Sequence, residues 1–280
     1  MMDNQEIEIT LLLDAMRLRY GYDFTGYARA SLTRRINKGL EESGFSTISE
    51  LIPRIIYDKD FFTNFVKHLS VHFTEMFRDP EFYKTLRENV IPYLNTYPFV
   101  KIWSAGISTG EEVYSLAILL KEEGLYDKVQ IYATDFSDIV LEKAKKAIYP
   151  KDLIKRSTSN YQEAGGKRSF ADYYHADYES AIFDRSLKDN IVFANHNLVT
   201  DSVFGEMNLI LCRNVMIYFG MDLQGRVVKL FSDSLRNNGF LCLGTKETLD
   251  FSEVKKNFVT LVSGQKIYQK KRLDECRDAE

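Results

Sequence analysis

The residues best suited to chemistry lie in the stretch KIWSAGISTGEEVYSLAILL, from Lys101 to Leu120. An apolar run ends in the loop Ala105-Gly106-Ile107-Ser108-Thr109-Gly110, two glutamates follow, and an amphipathic helical pattern begins. The two glycines let backbone approach a ligand closely, and Ser108 and Thr109 offer hydrogen-bond donors. A phosphate loop would continue with Gly-Lys-Ser/Thr, whereas Gly110 is followed by Glu111 and Glu112. The glycine spacing also fails to supply the G-x-G-x-x-G that sets a pyrophosphate over a helix N-terminus. Two carboxylates there favour a ligand that is neutral or positive at that end.

The next apolar run, VQIYATD, ends in Asp135, where an acidic residue in nucleoside-binding α/β folds holds ribose hydroxyls. Adenosine without phosphate, carrying a cationic group, fits the whole constellation, and that describes S-adenosylmethionine. Singly, each residue has a plainer reading: Glu111 and Glu112 as first-turn helix acids, Asp135 or Ser137 as a helix cap. Their occurrence at two consecutive strand ends favours a site.

Further candidates lie on either side. In SVHFTEMFRDPEFY, Thr74 and Arg78 are four apart and would face the same way in a helical turn, with Arg78 able to grip a carboxylate. In NHNLVTDSVF and LILCRNVMIYF, Asn197 and Asn214 follow strands and could reach an adenine edge, or simply form turns. Tyr218, four after Asn214, could lie against a reacting group or belong to the core. The cluster Arg29, Arg34, Arg35 and Lys38 is either a solvated helix face or a docking face for an acidic partner.

These residues need elements to position them. The chain of 280 residues is 45% hydrophobic and 28% charged, enough for one large domain or a small one joined to a larger. A net charge of −3 argues against whole-surface attraction to nucleic acid, and no nucleic-acid partner is expected. Three scattered cysteines suit a reducing cytoplasm better than a disulfide framework or zinc, and no metal is expected. The N-terminus lacks a signal pattern and no run reaches membrane-spanning length, so the reading is a cytoplasmic protein, not membrane-embedded.

From about Glu6 to Leu69 the apolar spacing is helical, and ASLTRRINKGL reads as a basic helix ending near Gly39 or Gly44. From Val100 onward, β-rich runs (FVKIWSA, VQIYATD, NIVFANH, MNLILCR, NGFLCLG) alternate with helical ones, which predicts a mainly parallel sheet with helices on both faces. The aromatic block SFADYYHADYESAIFDRSLKDNIVF reads as a small antiparallel insertion.

At this point the segments YGYDFTGYARASLTRRI, FTEMFRDPEFYKTLR, WSAGISTGEEVYSLA, YATDFSDIVLEKA, NHNL, CRNVMIYF and NNGFLCLGTKETL, taken in order, resemble the CheR-type protein-glutamate O-methyltransferases of bacterial chemosensory systems. The resemblance is collinear from about Leu11 to Lys271. It implies an α/β fold: a Rossmann-like S-adenosylmethionine-dependent methyltransferase domain over 76–280 with a small antiparallel β-subdomain inserted at about 168–190. An all-α N-terminal substrate-docking domain over 1–75 precedes it.

It further implies methylation of glutamate carboxylates on the cytoplasmic helical region of chemoreceptors, by a monomer. Arg78 and Tyr218 are the implied catalytic residues. Thr74, Arg78, Ala105, Glu111, Asp135, Asn197, Leu198, Asn214 and Val215 are the implied cofactor contacts, and Arg29, Arg34, Arg35 and Lys38 the docking residues. Ile107, Val113 and His72 depart from the usual pattern. Carboxylate methylation needs no general base, since the nucleophile is already ionised at neutral pH. That agrees with a sequence lacking a Ser/His/Asp set. A small-molecule or RNA methyltransferase, a nicotinamide oxidoreductase and a cofactor-sensing scaffold are the rival classes.

Overall fold

The computed structural model describes residues 3–69, 74–203 and 205–272. His72 and Cys276 lie outside the described residues. The chain forms two compact units: Met1–Phe73 with Tyr218–Arg226, and Thr74–Ile217 with Val227–Glu280. The division assigns Thr74 and Glu75 to the second unit, and it gives Tyr218–Arg226, distant in sequence, to the first.

The first unit is helical. Helix α1 (Asn4–Tyr20) starts where the Asp3 carboxylate accepts from the Gln5 N–H and stops at left-handed Gly21. Its buried side chains, Ile9, Leu12, Leu13 and Met16, recur at three and four. Helix α2 (Arg29–Ser43) runs on through Gly39 and ends at Gly44. Helix α3 (Ile48–Tyr57) opens with a capping box between Thr47 and Glu50, and α4 (Lys59–Leu69) completes the set. Tyr20 stacks on Phe62 with ring centroids 3.8 Å apart. The late segment is zipped onto this unit, with Ala28 N–H donating to Tyr218 O and Gly220 N–H to Gly26 O, both at 2.8 Å.

The second unit opens with α5 (Pro80–Asn89) and the single turn α6 (Ile91–Leu94). Its strands are β1 (Val100–Ala105), β2 (Val129–Asp135), β6 (Ile191–Asn195), β7 (Met207–Cys212), β8 (Leu235–Leu243), β9 (Phe258–Val262) and β10 (Ile267–Lys270). They form a seven-stranded sheet in the order β6-β2-β1-β7-β8-β10-β9. The first five are parallel, and β10 alone runs against them, pairing antiparallel with both β8 and β9. Helices α7 (Glu111–Glu122), α8 (Asp138–Lys146) and α10 (Met221–Ser234) connect them. Alternation along β1 sends Ile102 into one apolar cluster with α7, while Trp103 meets Phe231 of α10 edge-to-face at 5.3 Å. The strand order departs from β1 in opposite directions, to β2 and to β7, so the crevice for a ligand lies beyond the ends of those two strands.

The second sheet is small and antiparallel, ordered β3-β5-β4 from β3 (Ile148–Pro150), β4 (Tyr174–Ala176) and β5 (Ser180–Phe183). Two of its strands come from the aromatic block, but the third lies upstream, separated from it by α9 (Lys151–Glu163). Pairing with β5 recruits Ile148–Pro150, a run too short for periodicity to reveal.

A buried charge network secures α9 and its surroundings. Arg87 donates to Glu122 at 2.5 Å, to Glu123 at 2.6 Å and to Ala164 O at 3.1 Å, and the Glu122 carboxylate also accepts from Tyr161 and Tyr173. The Glu122 side chain is 1% exposed. Arg87→Met removes the only guanidinium these bonds share and leaves a carboxylate buried without it. The expected loss is about 3–5 kcal/mol in urea denaturation. A loss below about 1 kcal/mol would mean that apolar packing alone holds α9.

Candidate active site

The loop after β1 is built by its neighbours. Gly106 and Ile107 both donate to Thr134 O, at 2.8 and 3.1 Å, which carries the chain across the end of β2. Gly106 has φ +74°, and a Cβ there would lie 2.5 Å from Val215 Cγ2. The loops after β1 and β7 therefore touch, and only glycine permits it. From the small sheet, Tyr149 donates its hydroxyl to Thr109 O at 2.7 Å. The antiparallel subdomain thus supports the loop directly.

Asp135, at the end of β2, accepts from the Ser108 N–H at 2.9 Å and the Ser137 N–H at 3.1 Å. It is 6% exposed, and burial pushes its carboxyl up to about 6 against the backbone N–H groups that favour the anion. Ser137 occupies the N-cap position of α8, with Asp135 bonding its backbone from outside the helix. Glu111 is also buried and accepts from the Thr109 hydroxyl at 2.9 and 2.7 Å. Burial pushes it up to about 7, opposed by Thr109, its own backbone N–H and Lys143.

The two glutamates of the loop have different fates. Glu112 pairs with Arg213 at 3.2 Å and is no longer a free charge, leaving Glu111 as the carboxylate beside the loop. Arg213 follows β7, pairs with Asp79 at 2.7 Å, donates to Arg78 O at 3.3 Å, and lies 4.0 Å over the Phe82 ring. Burial lowers its pKa, but Glu112, Tyr83 and Asp79 outweigh burial and the net shift is upward. The segment it holds is not a helical turn. Phe77 and Asp79 both have positive φ, +51° and +58°, and helix begins only at Pro80, so Thr74 and Arg78 do not share a helix face. The charge of Arg78 still acts on Glu112, lowering its carboxyl against the rise that burial imposes.

His196 N–H donates to Asp135 O at 3.1 Å, which sets Asn197 and Leu198 beside the end of β2. Asn197 spends its side-chain oxygen on the Val199 N–H at 2.9 Å, the turn-forming role. Asn214, at φ +61°, and Val215 follow β7, and a four-bond anchor to the Glu247 carboxylate fixes their backbone.

Thus Ala105, Glu111, Asp135, Asn197, Leu198, Asn214 and Val215 gather at the carboxyl ends of four adjacent strands, β6-β2-β1-β7. Arg213 and Glu247 carry no role in the sequence reading, and Asp79, which local spacing offers as a surface partner for Arg78, pairs with Arg213. The signals available were an arginine immediately after an apolar strand and a glutamate three residues after Gly244.

Tyr218 and the basic cluster belong to the first unit. There Arg35 is buried, donating to Leu69 O at 2.6 Å and lying 4.4 Å over the Tyr218 ring. This corrects the docking assignment of Arg35, whose guanidinium faces inward because the neighbouring ring and carbonyl replace its water. Arg29 is half-buried and tied to Glu6 O and Thr10 of α1, at 3.0 and 3.1 Å. Arg34 and Lys38 are exposed. Arg29, Thr33, Arg34, Asn37, Lys38 and Glu41 line a groove along α2.

The chain matches the family described as "CheR methyltransferase, SAM binding domain" over residues 72–265, and "CheR methyltransferase, all-alpha domain" over residues 7–70. It belongs to the CheR methyltransferase family. It is similar to the protein Cher3 of Pseudomonas putida, with 48% identity over 95% of this chain and 98% of that one. It is also similar to "Chemotaxis protein methyltransferase 1" of Vibrio cholerae, with 32% identity over 73% of this chain and 75% of that one. A "Chemotaxis protein methyltransferase" of Listeria innocua shares 29% identity over 82% and 85%. The second unit is accordingly a Rossmann-like S-adenosylmethionine-dependent methyltransferase fold, preceded by the family's all-α domain. Among the described residues no helix is long and apolar enough to cross a membrane.

The family's cofactor can be tested against the residues present. Buried acceptors in Asp135 and Glu111, a backbone cradle at Ala105-Gly106 and no lysine in the loop suit a phosphate-free nucleoside with a cationic end. Burial of the two carboxyls sets a signed expectation for stability. Asp135 and Glu111 rise from ordinary values of 3.8 and 4.5 to about 6 and about 7. A carboxyl raised by folding stabilises below its unfolded value, and that contribution is lost as pH rises through the folded value. The ligand-free protein should therefore lose on the order of 1–3 kcal/mol per group between pH 4 and pH 8. Asp135→Asn should remove the part that falls between pH 4 and 6, read as the pH dependence of the difference in melting temperature from wild type. A difference that does not change with pH would contradict this.

Proposed function

We propose that this protein transfers the methyl group of S-adenosylmethionine to glutamate side-chain carboxylates on the cytoplasmic helical region of chemoreceptors, leaving glutamate methyl esters. One observation carries the choice of acceptor: the groove on α2, with Arg34 and Lys38 exposed, is a cationic surface suited to an acidic helix. The relatives named chemotaxis protein methyltransferases support the same reading.

When bound, S-adenosylmethionine supplies a methyl group activated by its sulfonium, which an ionised carboxylate can accept without a general base. The protein's part is then binding, orientation and exclusion of water. Asp135 holds the ribose hydroxyls through the lone pairs that Ser108 and Ser137 leave open. Glu111 faces the cationic amino-acid end. Asn197, Leu198, Asn214 and Val215 frame the base, and Ala105 leaves room beside it.

Thr74 and Arg78 hold carboxylates, with Arg78 orienting the incoming acceptor. Tyr218 aligns the acceptor, and Arg35 keeps its ring in place from within α2. Alignment of this kind is worth about 7–11 kcal/mol of barrier in favourable cases, which removes the need for a buried base.

The decisive experiment is methyl transfer from labelled S-adenosylmethionine to receptor cytoplasmic fragments, with the product tested for release of methanol by mild base. Base-stable label, or label confined to small molecules or RNA, would overturn the acceptor assignment. Arg78→Ala should lower kcat by about 10²-fold. Full turnover in that variant would remove Arg78 from the reaction. Charge reversal at Arg34 and Lys38 should lower kcat/KM roughly tenfold at low salt while sparing kcat, an effect that fades as salt rises. A rate unmoved by the reversal would reject steering by α2.

A further inference from the structure

Glu247 follows β8 in the stretch GTKET and is 4% exposed. Its carboxylate is enclosed by four backbone donors. One oxygen accepts from Gly244 N–H at 2.6 Å and Asn214 N–H at 3.0 Å, the other from Val215 N–H at 2.9 Å and Met216 N–H at 2.7 Å. Three of these donors are consecutive on the loop after β7, and Asn214 takes a left-handed conformation that turns them toward one point. Successive N–H groups arranged in this way form an anion-binding nest, the device that holds phosphate in nucleotide sites.

Here the anion is part of the chain. Gly244 makes room for it, because a Cβ at that position would lie 2.8 Å from both Asn214 N and Glu247 Oε2. Opposite, Val215 presses on Gly106 of the β1 loop so closely that no side chain fits there. Anchoring Asn214 and Val215 therefore also fixes the contact between the two loops that flank the crevice.

We propose that Glu247 is a positioning and specificity residue: an internal anion that locks Asn214 and Val215 in place for the nucleoside and fills the nest a nucleotide phosphate would otherwise enter. The inference rests on the reading that those two residues contact the adenosyl group. It assigns selection against phosphorylated nucleosides to a residue that touches neither substrate nor cofactor. The chemistry is direct. With the nest satisfied, a phosphate arriving there finds a buried negative charge in place of four donors.

The test is calorimetric titration with S-adenosylhomocysteine, together with thermal melting in inorganic phosphate, on wild type, Glu247→Gln, Glu247→Ala and the control Glu122→Gln. Glu247→Gln turns an amide NH2 toward two N–H donors and should weaken S-adenosylhomocysteine binding by about tenfold or more. Glu247→Ala should weaken it similarly and, unlike wild type, gain melting temperature in millimolar phosphate. Glu122→Gln, which disturbs the α9 network, should melt lower yet keep wild-type affinity well below its melting temperature.

Binding within twofold of wild type in both Glu247 variants would overturn the proposal. So would an equal loss in the control, which would reduce Glu247 to general stability. If Glu247→Ala does not fold, Glu247→Gln carries the affinity readout and Glu247→Asp, whose shorter side chain withdraws from the donors, carries the phosphate readout. A wild type that binds no S-adenosylhomocysteine removes the cofactor reading of the site. Phosphate stabilisation of Glu247→Ala or Glu247→Asp, absent in wild type, then decides whether the nest is as described.

Discussion

The site depends on the buried Arg213 guanidinium at the end of β7. It pairs with Glu112 of α7 and Asp79 of the segment before α5, and it lies over Phe82. Removing such a group from water is expensive, and the charge persists only because two carboxylates and an aromatic face replace the lost hydration. Three separate parts of the second unit are thereby fixed to one another: the backbone carrying Arg78, the start of the first helix after β1, and the exit from β7. The left-handed residues Phe77 and Asp79 are tolerated within this arrangement, since the pairing holds the backbone where its intrinsic preference would not.

The crevice as a whole is organised around internal charge. Glu112 is paired with Arg213, while the Glu247 carboxylate accepts from four backbone donors and that of Asp135 from Ser108 and Ser137. What remains is a pocket edge with carboxylates and almost no cationic group in the loop, the reverse of a phosphate site. A buried acid is costly, which is why Asp135 and Glu111 are both displaced upward by burial. A ligand with hydroxyls for one and positive charge for the other offsets part of that cost.

The helical unit has its own economy of charge. In α2 the neighbouring arginines 34 and 35 point to opposite environments, one to solvent and one onto Tyr218, so one helix presents a cationic groove while its reverse grips an aromatic ring that arrives from residue 218. Composition cannot separate two adjacent arginines. The helical period can do so only once the buried face is known.

By itself the sequence determined the alternation of strands and helices, since strict apolar runs and amphipathic spacing are local signals: VQIYATD is β2 residue for residue. It also placed Asp135 at the end of a strand and Glu111 at the start of a helix, because strand and helix limits are written in the same local pattern. The reading of Thr74 and Arg78 as a helical pair failed because the ion pairs of Arg213 with Asp79 and Glu112 are made across long sequence distances and override local spacing. Only the tertiary structure decided that β3 joins a sheet with strands some 25–35 residues later, that Arg35 turns inward, and that Glu247 closes an anion nest. Each of those outcomes depends on a partner that the neighbouring residues do not name. Burial converts such partners into a requirement, because a charge or N–H removed from water must find one.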